Sequence, residues 1–108
     1  MDNFGFNEMQ EIQKELQEKY KDKWGGLSPE KAADKLLALY GEVGEVVDVI
    51  RKNGTEAVLN DEAVRSHFIE ELCDVMMYFN DVMLCCSVSP QELKEVYLKK
   101  HEKNMSRW

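Results

Sequence analysis

Proline occurs twice in the 108 residues, at Pro29 and Pro90, and each time it directly follows a serine that opens an apolar-periodic stretch. Proline lacks an N–H and breaks a helix interior, yet it suits the first helical turn, where that donor has no partner anyway. Nothing in the chain alternates with the period of two that a half-buried strand requires. The expectation is an all-α protein, a helical bundle of about four helices. Its length suits one domain, 1–108, around a single core.

The first helix is expected over 7–24, with Met9, Ile12, Leu16 and Tyr20 at helical spacing and Gly25-Gly26 ending it. Ser28 and Pro29 supply the cap and first turn of the second, which continues to about Lys52. Its buried stripe is expected to be Leu36, Leu39, Tyr40, Val43, Val46, Val47 and Ile50, with Asn53-Gly54 as the stop. Residues 55–60 read as a loop or frayed turn. Asp61 caps a third helix running to about Ser87, whose apolar face is Phe68, Leu72, Val75, Phe79, Val82 and Cys86. Ser89-Pro90-Gln91-Glu92 is a capping box that starts a fourth helix reaching about Asn104, with MSRW as a tail. The two middle helices would each span about 40 Å. One chain of this size offers limited cover along such lengths, so completion of the bundle by homodimerisation is expected.

A net charge of −7 argues against a nucleic-acid polymer as partner, but not against a nucleotide whose phosphates are neutralised by metal ions. No apolar run approaches membrane-spanning length, and the start MDNFGFNEMQ has neither the basic nor the apolar region of a secretory signal. A cytoplasmic protein without membrane contact is expected. Cys73, Cys85 and Cys86 form an odd set without metal-ligand spacing, which reads as reduced core thiols.

Two acidic pairs carry the chemistry. Glu42 and Glu45 stand in GEVGEVVDVI, and Glu71 and Asp74 in EELCDVMMYF. Within each pair the i,i+3 spacing places both carboxylates on one side of a helix, at the border of its apolar seam. No lysine or arginine stands at i+4 from any of the four, where Val46, Val49, Val75 and Tyr78 are found. Solvated helix faces usually carry such counter-charges. Gly41 and Gly44 beside the first pair each cost the helix about 1 kcal/mol relative to alanine, which makes sense where a backbone or ligand must approach closely. If the seams pack together, the acidic borders meet, and clustered carboxylates repel unless a cation lies between them. An all-oxygen set favours Mg²⁺, with Mn²⁺ as a substitute. Magnesium commonly bridges to phosphates, so a polyphosphate ester is the matching substrate class. Di-iron chemistry needs Glu-x-x-His pairs, and neither His67 nor His101 stands at i+3 from a glutamate.

These residues resemble the MazG-like, all-α nucleoside triphosphate pyrophosphohydrolases, whose signature is E-x-x-E, a spacer, then E-x-x-D. Here it reads Glu42-Val43-Gly44-Glu45, twenty-five residues, and Glu71-Leu72-Cys73-Asp74. Lys100, Asn104 and Arg107 resemble the family's closing K-x-x-x-N-x-x-R, and the likeness runs over about residues 7–108. The resemblance implies a homodimer or homotetramer that hydrolyses a nucleoside triphosphate to a monophosphate and pyrophosphate, with Mg²⁺ as cofactor. It implies Glu42, Glu45, Glu71 and Asp74 as the metal set. Tyr78 would lie against the nucleotide, and Lys100, Asn104 and Arg107 would meet phosphate or sugar. Lys52 stands where some relatives hold an aromatic, and the segment before the first motif helix has no histidine, only Trp24 and Lys31.

The mechanism expected is attack of water at phosphorus, with Glu45 taking the proton and Glu42 beside it. Trp24 either stacks on a base or packs on the body of the protein. Asp81 continues the edge of Asp74 and Tyr78, either behind the ligands or in solvent. The competing reading is a non-catalytic metal- and nucleotide-binding or dimerisation module.

Overall fold

The computed structural model describes residues 3–108. Its elements are α1 (Phe6–Lys19), α2 (Lys21–Trp24), a 3-10 turn (Pro29–Lys31), α3 (Ala32–Asn53), α4 (Thr55–Asn60), α5 (Glu62–Cys85) and α6 (Pro90–Arg107). No strand occurs among the described residues, so the all-α expectation is met. None of these helices is by itself long and apolar enough to cross a membrane.

The antiparallel pair of α3 and α5 is the spine, and α4 closes the turn between them. α1 lies along α5, anchored where the Phe6 ring meets Phe79 edge-on at 6.0 Å between centroids. Among the described residues α6 packs only on α1, tied at its start by Gln10 Nε2 donating to the Val88 carbonyl at 3.0 Å.

The boundaries follow local chemistry. Asp61 Oδ1 accepts from Val64 N–H at 3.1 Å, capping α5. Ser89 and Glu92 close the expected capping box, with Glu92 N–H to Ser89 Oγ at 3.1 Å and Ser89 N–H to Glu92 Oε1 at 3.3 Å. Gly54, at φ 85, ends α3 as expected. Ser28 departs from expectation. Its hydroxyl makes no capping bond, Pro29 opens a 3-10 turn, and the α-helix proper begins at Ala32.

Four further differences concern short segments and helix ends. The first helix breaks at Tyr20, whose ring stacks on Trp24 at 4.7 Å, and resumes only as α2. Residues 55–60 are helical rather than loop, because Val58 inserts into the core and anchors a turn and a half. α6 continues through most of the supposed tail to Arg107. α5 stops at Cys85, earlier than Ser87, in a Schellman closure: Val88 N–H reaches Met83 O at 2.8 Å and Ser87 N–H reaches Leu84 O at 3.3 Å. Ser87 sits at φ 55, a conformation usually given to glycine.

The larger correction concerns which faces are buried. On α3, Glu42, Val46 and Val49 turn toward α5 together with Leu39, whereas Leu36, Tyr40, Val43, Val47 and Ile50 are exposed. Tyr40 is 72 % exposed. On α1 the buried residues are Gln13 and Gln17, not Ile12 or Leu16. On α5 Leu72 is exposed, as is Cys86 just past its end, and the deepest residues include Asn80 and Asp81. Of the three cysteines only Cys85 is buried. Each helix is thus rotated from its hydrophobic centre toward its polar flank. Apolar surface on α3 is wider than α5 can cover, and the flank bearing Glu42 is the one covered.

Candidate metal centre

Glu42 comes from the middle of α3, and Glu71 and Asp74 from the facing stretch of α5. Their seven-residue relatives along each helix, Lys35 and Val49 on α3 and Tyr78 and Asp81 on α5, share the same faces by helical periodicity. One carboxylate oxygen from each of Glu42, Glu71 and Asp74 lies within 4.8 Å of the other two. Glu42 and Glu71 are half-buried. Lost hydration, then the charges of Asp74, Glu71 and Glu45 in that order, hold the Glu42 carboxyl above its ordinary value. The three negative charges repel one another, and a proton or a cation would relieve that repulsion. The set's all-carboxylate chemistry fits a hard divalent ion, and magnesium in particular needs only a few protein oxygens because it keeps waters.

Glu45 does not join the three. It is exposed, one turn on from Glu42 and off the axis of contact with α5. Its charge nevertheless contributes to the upward shift at Glu42. His67, one turn before Glu71, brings Nε2 to 3.7 Å from Glu71 Oε1. A search for basic partners only at i+4 misses it, because the histidine precedes the acid.

Asp74 also borders a cleft of about 580 Å³ with Gln13, Gln17, Trp24, Lys35, Tyr78 and Asp81. Of the expected nucleotide contacts, Trp24 and Tyr78 are here, Trp24 half-exposed and Tyr78 under the Lys35 ammonium at 5.7 Å from its ring centre. Asp81 is neither solvated nor a member of the carboxylate set. It is 3 % exposed and accepts from Gln13 Nε2 at 2.8 Å and Gln17 Nε2 at 3.2 Å, with Lys35 Nζ at 3.9 Å. Burial pushes its carboxyl up, and Gln13, Lys35 and Gln17 partly oppose that. Sequence reasoning passed over Gln13, Gln17 and Lys35. Their signals were available: two amides at i,i+4 amid the apolar residues of α1, and a lysine seven residues before Glu42.

No protein-family model, curated protein or solved structure matches the chain. The functional reading rests on its own residues.

Lys100 and Asn104 lie elsewhere, in a groove of α6 with Val96, Tyr97 and His101. Arg107 stacks over the Trp108 ring at 4.9 Å. Since α6 contacts only α1, one chain does not bring these three to the carboxylates. Gly41 and Gly44 also answer differently than expected. A Cβ at either would meet nothing within 4 Å, so no close approach inside the chain requires them.

Proposed function

We propose that this protein is a Mg²⁺-dependent nucleoside triphosphate pyrophosphohydrolase that works as a homo-oligomer. The observation that carries the reading is the convergence of Glu42, Glu71 and Asp74 from two separate helices, beside a cleft with aromatic and cationic walls. These three carboxylates would hold the ion, and Mn²⁺ would substitute. Magnesium, when bound, would withdraw charge from the phosphates and lower the pKa of water. Glu45, outside the three-oxygen set and open to solvent, would take a proton from water. Asp74 borders both the ion site and the cleft, so a nucleotide with its phosphates at the carboxylates would lay its base between Trp24 and Tyr78.

Oligomerisation is supported by the surface the single chain leaves open. A 12.6 kDa monomer is expected to expose about 6,200 Å². This chain exposes 8342 Å². Leu36, Tyr40, Val43, Val47 and Ile50 follow one another at spacings of four and three, the pattern of a helix–helix seam. A second chain is also the route by which Lys100, Asn104 and Arg107 would reach a site.

The test is pyrophosphate release from a panel of ribo-, deoxyribo- and modified triphosphates, with and without Mg²⁺. Loss of release in Glu71→Gln is expected, and release that persists in EDTA would defeat the proposal. Near-normal turnover in Glu45→Gln would remove Glu45 as the base. The placement of α6 away from the carboxylates favours one second reading, a nucleotide-holding bundle without turnover. It would show Mg²⁺-dependent stabilisation by nucleotide and no pyrophosphate.

A further inference from the structure

The cleft beside the carboxylates contains a polar arrangement that ion binding does not use. Asp81 lies two helical turns beyond Asp74, nearly inaccessible, with Gln13 and Gln17 almost as deeply placed. Replacing buried ionic groups by apolar residues of similar volume is often neutral or stabilising, so stability alone does not call for such a set.

The oxygens of Asp81 are engaged unevenly. Oδ1 accepts from Gln13 at 2.8 Å and from Gln17 at 3.2 Å. Oδ2 receives only the longer Gln17 contact at 3.3 Å, with Lys35 Nζ at 3.9 Å. A carboxylate oxygen offers two acceptor positions, so Oδ2 has room for a shorter bond. Both glutamines turn their nitrogens to Asp81, which sets their amide oxygens on the opposite side of each amide. No protein donor among the described residues takes those oxygens. The polar wall is therefore weighted toward acceptors, with the Lys35 ammonium as its fixed donor. Trp24 and Tyr78 supply flat apolar surface on the same cleft.

We propose that this cleft is a nucleobase subsite selecting bases with an exocyclic amine, cytosine or adenine. The amine donates to Asp81 Oδ2, and the adjacent ring acceptor receives a hydrogen bond from Lys35. Gln13 and Gln17 are positioning residues that fix Asp81. A base with a carbonyl in place of the amine sets oxygen against oxygen and leaves the wall's acceptors unpaired. That mismatch discriminates far more strongly than a missing methylene.

The inference rests on the nucleotide reading above, and its test separates the two. Pyrophosphate release is compared within two pairs that differ only by amine against carbonyl, dCTP with dUTP and dATP with dITP. In at least one pair kcat/KM should favour the amine by about tenfold or more, expressed mainly in KM. Asp81→Asn, which presents an N–H₂ donor, should shrink or invert that ratio. Equal or better use of the carbonyl partner in both pairs overturns the subsite. If Asp81→Asn fails to fold by circular dichroism, the wild-type ratios decide. Calorimetric binding of CMP against UMP, and AMP against IMP, to the wild-type protein needs no turnover. An amine preference there with no pyrophosphate release from any triphosphate keeps the subsite and overturns the hydrolase. Release without amine preference does the reverse.

Discussion

Neutralising one member of the carboxylate cluster should stabilise the protein without cations and remove its response to them. Glu42 is the member to change, because it faces both Glu71 and Asp74 across the helix pair. Two unit charges 4.8 Å apart repel by about 0.9 kcal/mol even at the dielectric constant of water. The distances here are at or below that limit, so Glu42→Gln relieves two repulsions worth about 2 kcal/mol together. Desolvation of Glu42 acts in the same direction. For a domain of this size such a gain corresponds to a rise in Tm of roughly 10 °C. With Mg²⁺ or Mn²⁺ at a hundred times its Kd, the wild type should gain about 2.7 kcal/mol by mass action. The variant, one ligand short, should gain little, so the order of stabilities narrows or crosses. Thermal melts in EDTA and in excess cation, at one protein concentration, measure both effects.

Acidity supplies the internal control. The folded-state pKa of Glu42 is raised above 4.5 and that of Asp81 above 3.8, so the native state binds these protons more readily than the unfolded chain. Their stabilising contribution is present below those unfolded values and is lost as pH rises through the folded ones. In EDTA, the wild type should therefore gain stability from these groups on acidification toward pH 4.5, and the Glu42→Gln variant should show less of it. With excess cation the dependence should reverse, since the ion competes with protons. A Glu42→Gln protein less stable than wild type in EDTA, or one that keeps the full Mg²⁺ response, would refute the account.

Asn80 donates to the Met76 carbonyl at 3.0 Å, but its own Oδ1 is buried without a partner among the described residues. Asn80→Leu should raise stability by about 1–2 kcal/mol in urea unfolding, and a loss would reveal a partner for that oxygen outside the chain. Ser87→Gly should add roughly 0.5–1 kcal/mol by relieving the left-handed backbone at the end of α5, read from the urea midpoint at unchanged m. Val43→Lys, on the exposed seam of α3, should leave the helical circular dichroism intact and shift sedimentation toward one chain. An unchanged oligomer would place the interface elsewhere.

Much of the fold was legible because its punctuation is chemical and local. Asp61, Ser89 with Glu92, and Asn53-Gly54 mark their boundaries with groups whose bonding does not depend on distant residues. Where an element depends on a tertiary anchor, the pattern fell short. α4 exists because one valine finds the core, and nothing within 55–60 announces that. The shared side of Glu71 and Asp74 was readable from spacing, since acids at i,i+3 on one helix project together. The exclusion of Glu45 was not. It depends on the rotation of α3 about its own axis, and that rotation is set by which of two apolar flanks meets α5.

The same rotation joins the burial pattern to the proposed chemistry. The most deeply buried residues of this chain include Gln13, Gln17, Asn80 and Asp81, while Leu36, Tyr40, Val43 and Val47 stand in solvent. Hydrophobic burial is the main driving force for folding, so a lone chain would gain by turning α3 and α1 until those residues pointed inward. Such a turn would carry Glu42 off the α5 contact and dissolve the three-oxygen set. The arrangement becomes stable without that sacrifice if a second copy covers the outer seam. The radius of gyration, 16.3 Å against about 13 Å for a compact chain of this length, shows how far this chain is from closing on itself. On the proposed assembly, the seam and the ion site are one requirement: a variant that dissociates the chains should also weaken Mg²⁺ binding, although no residue of the seam belongs to the three-carboxylate set.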